Sequence, residues 1–139
     1  MKKALQEAEV AFEQGEVPVG AVIAVQGRII ARAYNQTEKL NDVTAHAEML
    51  AITAAANFLG GKYLYDSTMY VTLEPCLMCA GALYWSQIPR IVYGAPDLKR
   101  GFSVSGGMLH PKTILTGGIL EKESNALLKR FFIQKRNLN

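Results

Sequence analysis

Cysteine and histidine are scarce in this chain: Cys76, Cys79, His46 and His110 are all it has. Two cysteines three positions apart cannot staple a small fold through several disulfides, so stability has to come from a buried core. With 139 residues, half of them hydrophobic, that core is within reach of one domain spanning 1–139. No apolar run approaches the roughly 18 to 20 residues that cross a bilayer, which excludes a membrane-spanning helix. The opening Met1-Lys2-Lys3-Ala4-Leu5-Gln6-Glu7 turns acidic at once and lacks a signal-peptide core. A cytoplasmic setting is therefore expected, where thiols stay reduced and open to metals. Charge of one sign is only mildly in excess: 15 basic residues face 12 acidic ones, a net charge of +3. That balance permits a nucleic-acid partner without requiring one. Internal repeats and low-complexity segments are lacking.

What is present is an alternation of short elements. Residues 2–14 carry Leu5, Ala8, Val10, Ala11 and Phe12 among charges, an amphipathic helix stopped by Gly15. Residues 17–25 form a nearly continuous β-branched and small apolar run, expected as a strand buried on both faces. Gln26-Gly27 is a tight turn into a second strand over 28–34. Residues 45–58 are rich in Ala, Leu and Met, with Thr44 as N-cap and Gly60-Gly61 as the stop. Residues 68–73 read as a third strand. Pro75 is well placed as the first residue of a helix reaching about Gln87. Short strands at 91–94 and 113–116 and a final helix over 121–135 complete the chain. This order predicts an α/β layer sandwich with parallel central strands.

The scarce residues are not scattered. Thr44-Ala45-His46-Ala47-Glu48 is followed, thirty residues after the histidine, by Pro75-Cys76-Leu77-Met78-Cys79. Residues three apart share a helix face, so both sulfurs can converge on one point. Both ligand segments fall at predicted helix N-termini, whose partial positive charge favours thiolates. Structural zinc takes four protein ligands, whereas catalytic zinc keeps one position for water or substrate. Three close ligands, His46, Cys76 and Cys79, fit the second description, and a Cys₂His set without redox work favours zinc. Such a zinc brings the pKa of its water from about 15.7 to near 7. Glu48 beside it can take the water's proton and pass it to a ring nitrogen and a leaving amine. His110, in a Gly-rich loop, reads as a solvated residue rather than a fourth ligand.

The pattern His-x-Glu with Pro-Cys-x-x-Cys is that of zinc nucleobase deaminases. Over nearly its whole length the chain resembles the bacterial tRNA-specific adenosine deaminases of the cytidine deaminase-like superfamily. Besides the metal motif, Glu16-Val17-Pro18-Val19-Gly20-Ala21-Val22 is similar to the first-strand segment that walls their base pocket. Tyr34-Asn35 matches the place of an asparagine set against the nucleoside, and Val71-Thr72-Leu73-Glu74-Pro75-Cys76 is close to the family wording. Gly94-Ala95-Pro96-Asp97-Leu98-Lys99-Arg100-Gly101 resembles the loop that contacts the anticodon stem-loop, with Pro96 where arginine is frequent. The stretch 102–112 is several residues shorter than the corresponding family loop.

The resemblance implies a three-layer α/β/α sandwich with a five-stranded mixed central sheet. It also implies one Zn²⁺ per subunit held by His46, Cys76 and Cys79, with Glu48 as the catalytic acid–base. Substrate contacts would fall to Pro18, Val19, Asn35, Ala47, Asp97 and Lys99. The reaction would convert adenosine to inosine at the wobble position of a tRNA anticodon, and the protein would be a homodimer.

Two further readings stay open. Gly81-Ala82-Leu83-Tyr84-Trp85 is similar to the wording after the cysteines of bacterial guanine deaminases, which keeps free-base or nucleoside deamination of guanine, cytosine or cytidine in view. A non-catalytic RNA-binding module, with zinc only joining two helices, is the other. The tail Lys129-Arg130-Phe131-Phe132-Ile133-Gln134-Lys135-Arg136 puts four cations around an apolar stripe. It reads either as a phosphate- and base-contacting surface or as an amphipathic helix with buried phenylalanines.

Overall fold

A computed structural model describes residues 1–138. Among them the order is α1 (Lys2–Glu13), β1 (Gly20–Val25), β2 (Arg28–Tyr34), α2 (Ala47–Leu59), β3 (Ser67–Leu73), α3 (Leu77–Ser86), β4 (Arg90–Ala95), α4 (Phe102–Ser105), β5 (Ile114–Thr116) and α5 (Glu121–Leu138). The five strands form one sheet in the order β2-β1-β3-β4-β5. Helices α1 and α5 cover one face and α2 and α3 the other.

The topology brings two chain segments to one end of the sheet. β1 runs antiparallel to both β2 and β3, so β2 and β3 point the same way. Their carboxyl ends therefore lie at the same edge, and the chain leaves each of them into a helix, α2 and α3. Ligands of open α/β sheets bind at such strand ends. The sheet is thus mixed. β3, β4 and β5 are parallel, but the expected parallel centre stops at β3, whose other neighbour is antiparallel β1.

Close approach on one face depends on small residues. Ala4, Ala8 and Ala11 make a fully buried stripe on α1. A Cβ on Gly20 would collide with the backbone of Ala4 and Ala8, so α1 lies directly on the start of β1. On the other face Ile23, Met69, Val71, Leu83, Ile88 and Ile91 fill the core, each burial contributing roughly 1.5–3 kcal/mol. The β1–β2 hairpin turns on Gln26 and Gly27 at φ 50° and 78°, the paired positive values that a type I′ turn needs.

Several boundaries differ from the sequence reading. β1 begins at Gly20 rather than residue 17, because Pro18 has no N–H for a ladder and the Val19 N–H turns back to the Val17 carbonyl at 2.8 Å. α2 begins at Ala47 with His46 as its N-cap. Thr44 does not cap it, since its N–H and hydroxyl both donate to Asp42 Oδ1 at 2.8 and 2.7 Å. α3 begins at Leu77 with Cys76 as N-cap, which puts Pro75 one position ahead of the cap instead of inside the helix. Within 102–112, read as loop, Phe102–Ser105 closes one helical turn. α5 runs on to Leu138.

Candidate active site

The two N-caps are the key to the site. His46 and Cys76 both have extended backbone, with ψ 151° and 176°, and neither side chain caps its own helix. Freed from capping, both side chains project into the space between the helix starts, and Cys79 joins them from the first turn of α3. The His46 Nδ1 lies 3.6 Å from Cys76 Sγ and 3.5 Å from Cys79 Sγ. All three ligand atoms fall within 4.8 Å of one another.

These distances test the fit of a metal. With Zn–N near 2.0–2.1 Å and Zn–S near 2.3 Å, a tetrahedron has N···S edges of about 3.5 Å. The observed separations match that edge. Among the described residues, the ligand set is these three alone. His110 stands apart: its Nδ1 accepts the Lys112 N–H at 3.2 Å, and its ring packs on Tyr84 with centroids 5.6 Å apart.

Glu48 completes the picture. It is only 3 % exposed, and its Oε1 has no hydrogen-bond partner. An orphaned buried carboxylate oxygen is costly unless something polar meets it. A water bound beside the three ligands would meet it. Burial raises the Glu48 carboxyl to about 7, with His46 partly opposing the rise. Burial thus holds the carboxyl of the metal-free centre in the range where a group can both take and return protons.

In the metal-free protein the two thiols are unequal, because they share one hydrogen bond. Cys76 is lowered to about 4, first because the Cys79 thiol donates to it and then through His46. Cys79 is raised, because it holds the proton it gives to Cys76, is more deeply buried and faces the Glu48 charge. His46 is raised chiefly by its contact with Cys76.

The loop between β2 and α2 frames this centre. Asn35 Oδ1 accepts the Ala47 N–H at 2.7 Å, and the Asn35 N–H donates to the Val19 carbonyl at 3.1 Å. Asn35, Ala47 and Val19 thus form one connected unit next to His46, with the Val19 and Ala47 side chains and Pro18 all buried. Glu16, singled out by no chemical motif, holds the same loop: its buried carboxylate accepts the Glu38 and Lys39 N–H groups at 3.0 and 2.8 Å. A lone acid ahead of an apolar run looks like a surface residue, and nothing local signals this use.

Asp97 and Lys99 belong to a second loop. Asp97 Oδ1 accepts the N–H groups of Lys99 and Arg100 at 3.1 and 3.0 Å, building a tight turn that leaves both basic side chains exposed. The terminal helix is less open than its sequence suggests. Phe131 is 6 % exposed and meets Phe12 edge-on, with ring centroids 6.1 Å apart, while Arg130 lies over the Phe12 ring. Half of the aromatic stripe is therefore core, and Phe132 is the member left open.

Sheet order, the His and Cys N-caps and the buried acid define a zinc-binding deaminase centre. The family model for the cytidine and deoxycytidylate deaminase zinc-binding region matches residues 1–95. A tRNA-specific adenosine deaminase of Aquifex aeolicus is 47% identical over 99% of this chain and 94% of its own length. A solved structure from work on A-to-I editing by tRNA:A34 deaminases superposes with a TM-score of 0.85 at 44% identity, covering 92% of this chain and 97% of that one. Guanine deaminase from Bacillus subtilis has the same fold at a TM-score of 0.67 and 30% identity, with 93% and 90% covered. The chain belongs to the tRNA-specific adenosine deaminase family within the cytidine deaminase-like superfamily.

Proposed function

We propose that this protein catalyses the zinc-dependent hydrolytic deamination of adenosine to inosine at the wobble position of a tRNA anticodon. It works as a single deaminase domain in a cytoplasmic homodimer, with one zinc per subunit. The observation that carries the chemistry is the cluster of His46 Nδ1 with the two cysteine sulfurs, 3.6 and 3.5 Å from it, together with the buried, unpartnered Glu48 oxygen.

His46, Cys76 and Cys79 hold the metal, and the chemistry zinc supplies when bound is a water that ionises near pH 7. Glu48 does the proton work. Its carboxylate takes one proton from the attacking water and passes it to a ring nitrogen of the purine, then takes the second from the newly formed hydroxyl and passes it to the exocyclic amine, which leaves as ammonia while the carbonyl forms. Burial around Glu48 excludes bulk water from this exchange. Pro18, Val19, Asn35 and Ala47 wall the base pocket, while Asp97 and Lys99 serve the RNA strand.

The substrate follows from family. Identity of 47% and 44% over nearly the whole chain to adenosine deaminases acting on tRNA stands against 30% to a guanine deaminase. The Tyr84-Trp85 pair, which resembles the wording of bacterial guanine deaminases, favours no base pocket, because Trp85 is 76 % exposed. It lies instead on a stripe with Leu77 and Gly81, one helical turn apart each time, and that stripe suits a dimer contact.

The deciding experiment offers purified protein an anticodon stem-loop with adenosine at the wobble position, alongside guanine, cytosine and cytidine. Inosine in the RNA alone is the expected result. Ammonia from guanine alone would overturn the substrate.

A further inference from the structure

The sequence Leu73-Glu74-Pro75-Cys76 places a carboxylate two residues before Cys76, outside the cluster of three candidate ligands. Glu74 is only 4 % exposed. Its Oε1 accepts the Asp97 N–H at 3.1 Å, and its Oε2 accepts the Ser103 N–H and hydroxyl at 3.0 and 2.7 Å. One carboxylate thus grips both ends of the 97–103 loop. Gly101 sits inside that grip, where a Cβ would collide with the Glu74 carboxylate and the Asp97 carbonyl. The same loop is stitched to the metal-ligand turn. Gly101 pairs with Cys76 in an isolated bridge, and the Phe102 N–H donates to the Pro75 carbonyl at 2.9 Å. Asp97 in turn orients the backbone of Lys99 and Arg100.

We propose that Glu74 is a positioning residue that locks the RNA-facing 97–103 loop in register with the metal-ligand turn at Cys76. The role of this loop toward RNA rests on the proposed function. Hydrogen bonds to a charged acceptor are strong, and a buried carboxylate with three such donors holds backbone that would otherwise hinge at Gly101. Glutamine preserves shape but turns its amide toward one donor, so Glu74→Gln releases one end of the loop and Glu74→Ala both.

The test measures zinc content, amide hydrogen exchange and steady-state kinetics on the wobble-adenosine stem-loop for wild type, Glu74→Ala, Glu74→Gln and Ser103→Ala. Ser103→Ala removes a single hydroxyl contact and carries the test if Glu74→Ala does not fold. Zinc stays at the wild-type level, exchange across 97–103 speeds up, and KM for the RNA rises about tenfold in Glu74→Ala with kcat nearly kept. Glu74→Gln falls between it and wild type. A merely structural role would reduce the active fraction, lowering apparent kcat and leaving KM alone. Unchanged exchange or unchanged KM in the folded variants overturns the proposal, as does zinc loss from Glu74→Gln. If wild type is inert toward the stem-loop, the substrate reading fails instead, and the exchange measurement still decides the clamp.

Discussion

The side-chain oxygen of Asn35 accepts the backbone N–H of Ala47 at 2.7 Å, and thereby caps helix α2 from the start of the loop that leads into it. The helix needs this, because its own N-cap residue, His46, offers no capping bond. A histidine that must point at a metal cannot also cap its helix, so the cap comes from the end of β2. Asn35 ties the strand end and the first helical N–H next to His46 into one piece, and its amide nitrogen is the group proposed to donate to substrate.

Asn35→Ala should therefore cost about 1 kcal/mol of stability, the usual loss of an N-cap, along with activity. Asn35→Asp keeps the accepting oxygen and removes the donor. It should melt near the wild-type temperature yet deaminate more slowly. Thermal melts beside kcat/KM separate the two duties; equal melting losses in both variants would sink the capping account.

Glu48→Gln is nearly isosteric and leaves the three ligands untouched. Metal analysis should find wild-type zinc, while turnover drops by about 100- to 10,000-fold, the range of general acid–base catalysis. Turnover at the wild-type rate would mean that the protons move through another group.

The reaction class was legible in the sequence because its ligands form two short local motifs, and a motif survives without knowledge of tertiary contacts. Placement was less legible. His46 and Cys76 read as first-turn helical residues and prove to be N-caps, a shift of one or two residues that changes where the side chains point. Pro75 marks the helix start but stands ahead of the cap, since Cys76 after it keeps an extended backbone with ψ 176°. Glu16 and Glu74 were invisible as loop anchors, for their partners lie more than twenty residues downstream. The basic aromatic tail failed as a guide for the opposite reason: Phe131 and Phe132 are neighbours in sequence, and only packing against Phe12 decides which one is buried.

The paired thiols make a chemical prediction for protein stripped by a chelator. Cys76 has its pKa lowered to about 4, so above that pH it is a thiolate, and its alkylation rate should be nearly flat from pH 6 to pH 8. Cys79 is raised and buried, stays protonated over the same range and should react far more slowly. Peptide mapping after iodoacetamide pulses measures both rates. Adding zinc before the pulse should protect both sulfurs. A Cys76 rate climbing tenfold per pH unit would show an ordinary thiol instead.

Trp85 provides the test of assembly. Leu77 and Trp85 are 52 % and 76 % exposed on one side of α3, and Gly81 between them leaves open space above the helix. A flat apolar stripe with a tryptophan at one end is the composition of an interface centre, where such residues carry most of the binding energy. Its position on α3 links assembly to the site, since the same helix carries Cys79 on its buried side. Trp85→Ser removes the largest exposed ring without touching the core, so the monomer should keep its fold and its zinc. Loss of about 2 kcal/mol at the interface weakens the dimer roughly thirtyfold, which sedimentation across a dilution series would register. Activity on the stem-loop should then fall with dilution in step with the dimer if the partner subunit completes the RNA surface. A Trp85→Ser protein that sediments as wild type at every concentration would move the interface elsewhere.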